Sequence, residues 1–257
     1  MDVVPQTRVA ITGAGGFLGR ALVTGLAPHF PLRLFDVIPL SPPTGSESIE
    51  GSVADLNSAL KLCDGCSDLV IAHMATNRPE IYGTPAVPFD VNVKGTANLL
   101  HAATVHGLRR VVLVSSTAVV GEQMERGDFL TADLPLIPLK TRYGLTKALQ
   151  EMTAQHFHRE TGIPVSILRP GYICDEESLS DKYGKKRRTV NWQFIDPRDI
   201  AEAARLSIML PNLKYDVFYM LGYPTAETRA DIKHAREVLG WRPCHTFERY
   251  EHDAPVP

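Results

Sequence analysis

Tyr143 and Lys147 stand four residues apart in the run Tyr143-Gly144-Leu145-Thr146-Lys147. On a helix, positions i and i+4 share a face, so a phenol and an ammonium there point the same way. A phenol alone, with a pKa of about 10, is a poor base at neutral pH. An adjacent ammonium favours phenolate and draws that value toward working pH. Ser115, Ser116 and Thr117 close the apolar run that begins at Arg110. A hydroxyl at the carboxyl end of a strand can hold a substrate oxygen against the tyrosine. The chemistry such a trio supports is proton transfer at a hydroxyl or a carbonyl.

A second constellation lies near the start of the chain. Thr12-Gly13-Ala14-Gly15-Gly16-Phe17-Leu18-Gly19 follows a β-branched run directly and opens a helical stretch. Gly13 permits a tight turn, Gly16 lets backbone approach a pyrophosphate, and Gly19 lets helix pack closely on strand. The first helical N–H groups, around Phe17 and Leu18, then face the phosphates with the positive end of the helix dipole. The strand before, the helix after and an acid later on are the context this fingerprint requires. That acid is Asp36, at the end of the next strand; its carboxylate accepts from both ribose hydroxyls and repels a 2′-phosphate, so NAD is expected over NADP. Lys147 is then also placed to donate to the nicotinamide ribose.

These residues need a frame. Arg8–Thr12, Leu32–Asp36, a short run near Glu50, Asp68–Met74, Arg110–Ser116 and Val165–Arg169 read as strands, and Gly16–Leu26, Val91–His106 and Thr141–Thr161 as helices. The alternation predicts an α/β fold, a Rossmann-type doubly wound parallel sheet. The rhythm breaks after Pro170: Cys174–Arg188 is charged and without period, Asp199–Met209 and Asp231–Leu239 read as helices, and Val217–Leu221 reads as a strand. The expected organisation is an NAD-binding domain over 1–170 and a small C-terminal substrate lobe over 171–257, partly returning to the sheet. The 257 residues are 44% hydrophobic and 22% charged, which excludes a disordered chain. With 27 Lys and Arg against 29 Asp and Glu, no basic excess points to nucleic acid. No apolar run is long enough to span a bilayer. Four cysteines and no signal-like start lead us to expect a reduced, cytoplasmic protein. Cys63-Asp64-Gly65-Cys66 has no second pair or zinc-spaced histidine, so no metal is expected.

The motif set resembles the short-chain dehydrogenase/reductase superfamily, in its extended, epimerase/dehydratase-like branch. The resemblance rests on the glycine turn, His73-Met74-Ala75, Asn92-Val93-Lys94-Gly95-Thr96, Ser115-Ser116 with Gly121 beyond, the Tyr143–Lys147 run, and two later segments, Phe194–Glu202 and Ala235–Pro243. It implies bound NAD and Ser116, Tyr143 and Lys147 as the catalytic set, with Thr117 a second choice for the hydroxyl. It also implies cofactor contacts from Asp55, Leu56, Met74, Ala75 and Asn92, the first of these at the adenine. Val119-Val120-Gly121 departs from the branch's frequent Val-Tyr-Gly and removes one aromatic near the substrate. Members acting on nucleotide sugars are longer, so the short lobe resembles compact uronate-dehydrogenase-like members. Those imply a small anionic carbohydrate as substrate, with Arg188 meeting its carboxylate in a bidentate pair; Arg78 and Thr117 are further substrate candidates. In the family the two long helices, here carrying Leu99, Leu100, Leu145 and Leu149, pair across a two-fold axis, which implies a homodimer. The competing functions are a sugar or nucleotide-sugar epimerase/dehydratase that retains its NAD, and a non-catalytic cofactor-sensing regulator. Thr117-Ala118 stand where dehydratases place Asp-Glu, and the Tyr/Lys pair is intact, so dehydrogenase is favoured.

Overall fold

The computed structural model describes residues 8–73 and 84–252. Seven parallel strands form the main sheet: β1 (Val9–Thr12), β2 (Leu32–Asp36), β3 (Glu47–Glu50), β4 (Asp68–Ile71), β5 (Arg110–Val114), β6 (Val165–Pro170) and β10 (Tyr215–Met220). Their order is β10-β6-β5-β4-β1-β2-β3. β1, β4, β5 and β6 are buried along their whole length, as strands covered on both faces must be, and their sequences are accordingly near-continuous in apolar residues. β3 lies at the edge and alternates half-buried with exposed positions; its glutamates blunt further pairing. The chain runs outward from β1 through β2 to β3, then returns to the other side of β1 and proceeds through β4 to β10. Loops therefore diverge at the carboxyl ends of β1 and β4, the switch point at which such sheets bind ligands.

Helices cover both faces. On one, α1 (Phe17–Leu26) packs with α6 (Pro197–Met209) through Leu22, Leu26, Ile200 and Ala204. On the other lie α2 (Leu56–Cys63), α3 (Gly95–Val105) and α5 (Arg142–Thr161), contributing Leu62, Leu99, Leu100 and Phe157 to the core. Leu99 and Leu100 thus cover the sheet and are 0% and 2% exposed, whereas Leu145 on α5 is exposed. The stretch expected as one helix from Val91 begins as a wider π-helical turn, Phe89–Lys94, before α3. That turn carries two links: Val91 O lies 2.9 Å from His73 Nε2, and Asn92 Nδ2 donates to Thr146 Oγ1 at 3.0 Å. Thr141 caps α5, its Oγ1 accepting the Gly144 N–H at 3.0 Å, which sets where the helix bearing Tyr143 and Lys147 starts. A short helix α4 (Gly121–Arg126) follows β5 after a 3₁₀ turn, Thr117–Val120.

The charged stretch after Pro170 is not featureless. β7 (Tyr172–Asp175), β8 (Ser180–Asp181) and β9 (Phe194–Ile195) make a second, three-stranded sheet ordered β8-β7-β9. Two-residue strands are too short to leave a period in the sequence. This sheet has its own apolar cluster, Cys174, Leu179, Val190, Phe194 and Phe247. It joins the rim of the main sheet along one edge, where β7 and β9 begin side by side: Gly171 N–H donates to Met220 O at 3.3 Å, and Gly222 N–H to Phe194 O at 2.7 Å. The last helix, α7 (Lys233–Leu239), packs on β10.

Candidate active site

A cleft of about 740 Å³ opens at the carboxyl ends of the strands, lined at one side by the glycine turn and Asp36 and at the other by Ser115–Ala118, Tyr143, Lys147 and Asp181–Tyr183. In the turn, Gly13 is left-handed, with φ +65, and a Cβ on Gly19 would fall 2.0 Å from Gly13 O, so only glycine allows the helix to start this close to β1. Gly16 is the N-cap of α1 and supplies no capping side chain, leaving the first N–H groups of the helix, with Phe17 and Leu18 at the cleft, available to a ligand. Asp36 is fixed by two backbone donors: Gly15 N–H to Oδ2 at 2.9 Å and Val37 N–H to Oδ1 at 2.8 Å. Its remaining lone pairs face the cleft. Gly15, which only its spacing in the turn could have flagged, is thus the residue that orients the acid.

Behind the turn, Thr12, His73 and Val91 form a buried chain. Thr12 Oγ1 lies 3.1 Å from His73 Nδ1, and His73 Nε2 2.9 Å from Val91 O. A carbonyl only accepts, so Nε2 carries the proton and Nδ1 accepts from Thr12. Burial, reinforced by the charge of Lys147, pushes the His73 pKa down to about 3, so the ring stays neutral. It ties the ends of β1 and β4 to the π-helical turn.

At the other end Ser116, Tyr143 and Lys147 come together. Ser116 stands beside Tyr143, near enough to influence the phenol's titration, and its Oγ accepts the Ala118 N–H at 3.2 Å. Lys147, 2% exposed, donates from Nζ to Val114 O at 2.8 Å. The electrostatics differ from the sequence expectation that the ammonium draws the phenol down. Burial pushes the Tyr143 pKa up, and the influence that lowers it is the Ser116 hydrogen bond. Burial, aided by the Lys182 charge and opposed by Glu151, lowers the Lys147 pKa to about 7. The same desolvation that raises one group lowers the other, so near neutrality the lysine is only part charged and the phenol holds its proton. Thr117 lines the cleft beside Ser116. Ser115 Oγ is buried there with no hydrogen-bond partner among the described residues.

Other expected residues are placed differently. Asp55 caps α2, with Oδ2 accepting from Ser58 N–H at 2.9 Å and Ser58 Oγ at 2.7 Å, and Leu56 is 41% exposed; neither lines the cleft, where Gly51, Ser52 and Val53 stand instead. Asn92 is fully buried against Thr146 rather than in the cleft. Arg188 is exposed and outside the cleft lining; the cation that this loop brings to the cleft is Lys182. Met74, Ala75 and Arg78 lie outside the described residues. Sequence reasoning missed Glu151, one helical turn beyond Lys147 on the same face, which forms a buried ion pair with Arg169 at 2.8 Å.

A family model described as the NAD dependent epimerase/dehydratase family matches residues 9–190. The chain belongs to that family. Uronate dehydrogenase of Pseudomonas putida is 31% identical over 258 residues, covering 97% of this chain and 88% of its own. L-arabinose 1-dehydrogenase (NAD(P)(+)) of Haloferax volcanii is 26% identical over 220 residues, covering 79% of this chain and 83% of its own. The crystal structure of uronate dehydrogenase from Agrobacterium tumefaciens superposes with a TM-score of 0.76 at 24% identity, covering 98% of this chain and 91% of that one. The family member described here is accordingly an NAD-dependent dehydrogenase. Its residues fit the cofactor: a side-chain-free cradle at the helix start, a carboxylate held at the cleft by the Gly15 N–H, and a Ser115 hydroxyl in the same cleft that has no partner among the described residues. Among the described residues, no cluster could hold a metal ion and no helix is long and apolar enough to cross a membrane.

Proposed function

We propose that this dehydrogenase oxidises a small sugar acid of the uronate class, using Ser116, Tyr143 and Lys147. The observation that carries the reading is that Ser116, Tyr143 and the buried Lys147 line a single cleft that must serve both cofactor and substrate. Gly13, Gly16, Phe17, Leu18 and Gly19 would receive the pyrophosphate and Asp36 the adenosine ribose. NAD, when bound, supplies the acceptor for the hydride that leaves the carbinol carbon. Ser116 holds the substrate hydroxyl, and Tyr143 Oη takes its proton as the carbonyl forms. Because burial raises the phenol's pKa, oxidation should quicken as the solution becomes more alkaline. Lys147, carried on the same helix face, steadies the phenolate and reaches toward the nicotinamide ribose.

The P. putida relative bears the name uronate dehydrogenase, which supports a sugar acid as substrate. The division into a cofactor domain over 1–170 and a lobe over 171–257 belongs to this reading, modified by β10 and α6, which join the main layers. A homodimer through α5 and α3 would cover the exposed Leu145, Met152 and Val105, and cytoplasmic residence is in keeping with four cysteines free of disulfides. Following reduced nicotinamide by absorbance with a set of uronates, neutral aldoses and nucleotide sugars tests the proposal. Fastest turnover with a uronate supports it; preference for a nucleotide sugar, with NAD recycled in place, replaces it with the epimerase reading.

A further inference from the structure

Gln193 lines the same cleft as Ser116 and Tyr143, and no sequence motif marks it. The residues on either side of it are anchored in apolar clusters. Trp192 packs, as does Met124, against the cluster that holds Val119, Val120 and Tyr219. Phe194, 1% exposed, belongs to the cluster of the small sheet, its ring centroid 5.0 Å from that of Tyr172 and 5.5 Å from that of Phe247. The backbone between these anchors is also held: Gln193 N–H donates to Asn191 Oδ1 at 3.0 Å, and Gln193 O accepts the Tyr172 N–H at 2.7 Å. Gln193 thus stands next to the edge where the small sheet joins the main one. Its side chain is bound far less well than its backbone. Among the described residues the carboxamide has one partner, Met124 Sδ, 3.5 Å from Nε2. A thioether is a weak acceptor, so the donors and the carbonyl oxygen of this half-buried amide keep most of their capacity for a ligand.

We propose that Gln193 determines specificity, its carboxamide reading a hydroxyl of the sugar other than the one oxidised. This rests on the sugar-acid reading above, though on the hydroxyls of that substrate and not on its carboxylate. A carboxamide carries donor and acceptor side by side, and a sugar hydroxyl is itself both, so either atom of the amide can be matched. Around it Met124, Leu139, Pro170 and Ile173 give the cleft an apolar lining. In such a lining a few placed polar groups decide orientation. Ser116 and Tyr143 can hold any secondary hydroxyl that reaches them, and a polyol offers several. A second contact, made from a different element to a different hydroxyl, selects which carbon faces the nicotinamide. A substrate lacking that hydroxyl leaves the amide without its strong partner, and the site rejects it for that reason.

The test measures kcat/KM with NAD for D-glucuronate and its 2-, 3- and 4-deoxy analogues, using the full chain as wild type, Gln193→Met and Met124→Leu. Gln193→Met keeps the side-chain volume and removes the carboxamide. Deleting the hydroxyl that Gln193 reads should cost the wild type about ten-fold and Gln193→Met less than about two-fold, while the other deletions cost both enzymes alike. Met124→Leu should keep the wild-type pattern, because the thioether is not the group that reads the sugar. With D-glucuronate, Gln193→Met should raise KM more than it lowers kcat. Should Gln193→Met fail to fold, as judged by its thermal unfolding, Gln193→Leu should give the same pattern. A structural role would instead lower kcat/KM for all four substrates by one factor and leave the ratios as they are in the wild type. That result, or a wild type indifferent to all three deletions, overturns the assignment. If the wild type oxidises D-glucose and not D-glucuronate, the uronate reading fails by itself. The assignment of Gln193 then stands or falls on the same comparison with 2-, 3- and 4-deoxyglucose.

Discussion

Replacing Glu151 with Gln probes a part of the site that touches neither cofactor nor substrate. Glu151 and Arg169 are each 2% exposed and joined by three contacts, Arg169 Nε to Oε1 at 3.0 Å and to Oε2 at 3.3 Å, and Nη2 to Oε2 at 2.8 Å. Arg169 Nη1 also donates to Tyr219 Oη at 2.9 Å, which passes the chain on to Thr131 O at 3.1 Å. Gln keeps the volume and an acceptor but strands the guanidinium as a buried, uncompensated cation. Breaking a buried pair this way costs about 3–5 kcal/mol, and Gln should fall at the lower end. For a chain of this size ~3 kcal/mol corresponds to a Tm lower by about 6–12 °C. Thermal unfolding of the cofactor-free protein at pH 7 gives the number directly. The double variant Glu151→Gln/Arg169→Met buries no charge and should recover to within about 2 kcal/mol of wild type. Because Glu151 supports the charged form of Lys147, its loss should also shift the kinetic limb that depends on that ammonium toward more acidic pH. A single variant within about 1 kcal/mol of wild type, or a double variant no better than the single one, would mean that the pair is solvated in solution and the burial argument is wrong.

Tyr143→Phe should retain fold and NAD binding but lose turnover by ~10²-fold or more, since it removes the proton acceptor; steady-state kinetics with NADH absorbance would show it. Asp36→Ala should narrow the gap between NAD and NADP affinity, measured by titrating each cofactor, because the carboxylate that repels a 2′-phosphate is gone. Lys147→Met should abolish most turnover, weaken NAD binding and raise the Tm of the cofactor-free protein at pH 6. The sign follows from its lowered pKa: the wild type carries the full cost of a buried ammonium below pH about 7 and sheds it as pH rises toward the unfolded value. The Tm gain should therefore shrink between pH 7 and 10, and a gain that grows over that range would contradict the burial of Lys147.

The elements that position the cofactor were readable because each rests on local rules: glycines where a side chain would collide, an acid at a strand end, and uninterrupted apolar runs where a strand is covered twice. The Tyr143–Lys147 spacing was likewise local, and the fold brings it to Ser116 as expected. What the sequence could not show is set by long-range geometry. Lys182 and Arg188 lie in the same charged stretch, and which one faces the cleft depends on Asp181 being drawn to Tyr172 across the small sheet. The direction of the Tyr143 shift depends on burial, which four residues of spacing do not report. Glu151 left a signal, an acid one turn after Lys147, but its partner Arg169 sits on a strand and only the packed structure pairs them. Asp55 matched a motif, yet its local environment spends its carboxylate on a helix cap.

The small sheet is fastened to the rim of the large one at two points, through Gly171 to Met220 and through Phe194 to Gly222. Both points lie where β7 and β9 begin side by side, so the small sheet is joined along a single edge and can tilt as a unit while keeping both bonds.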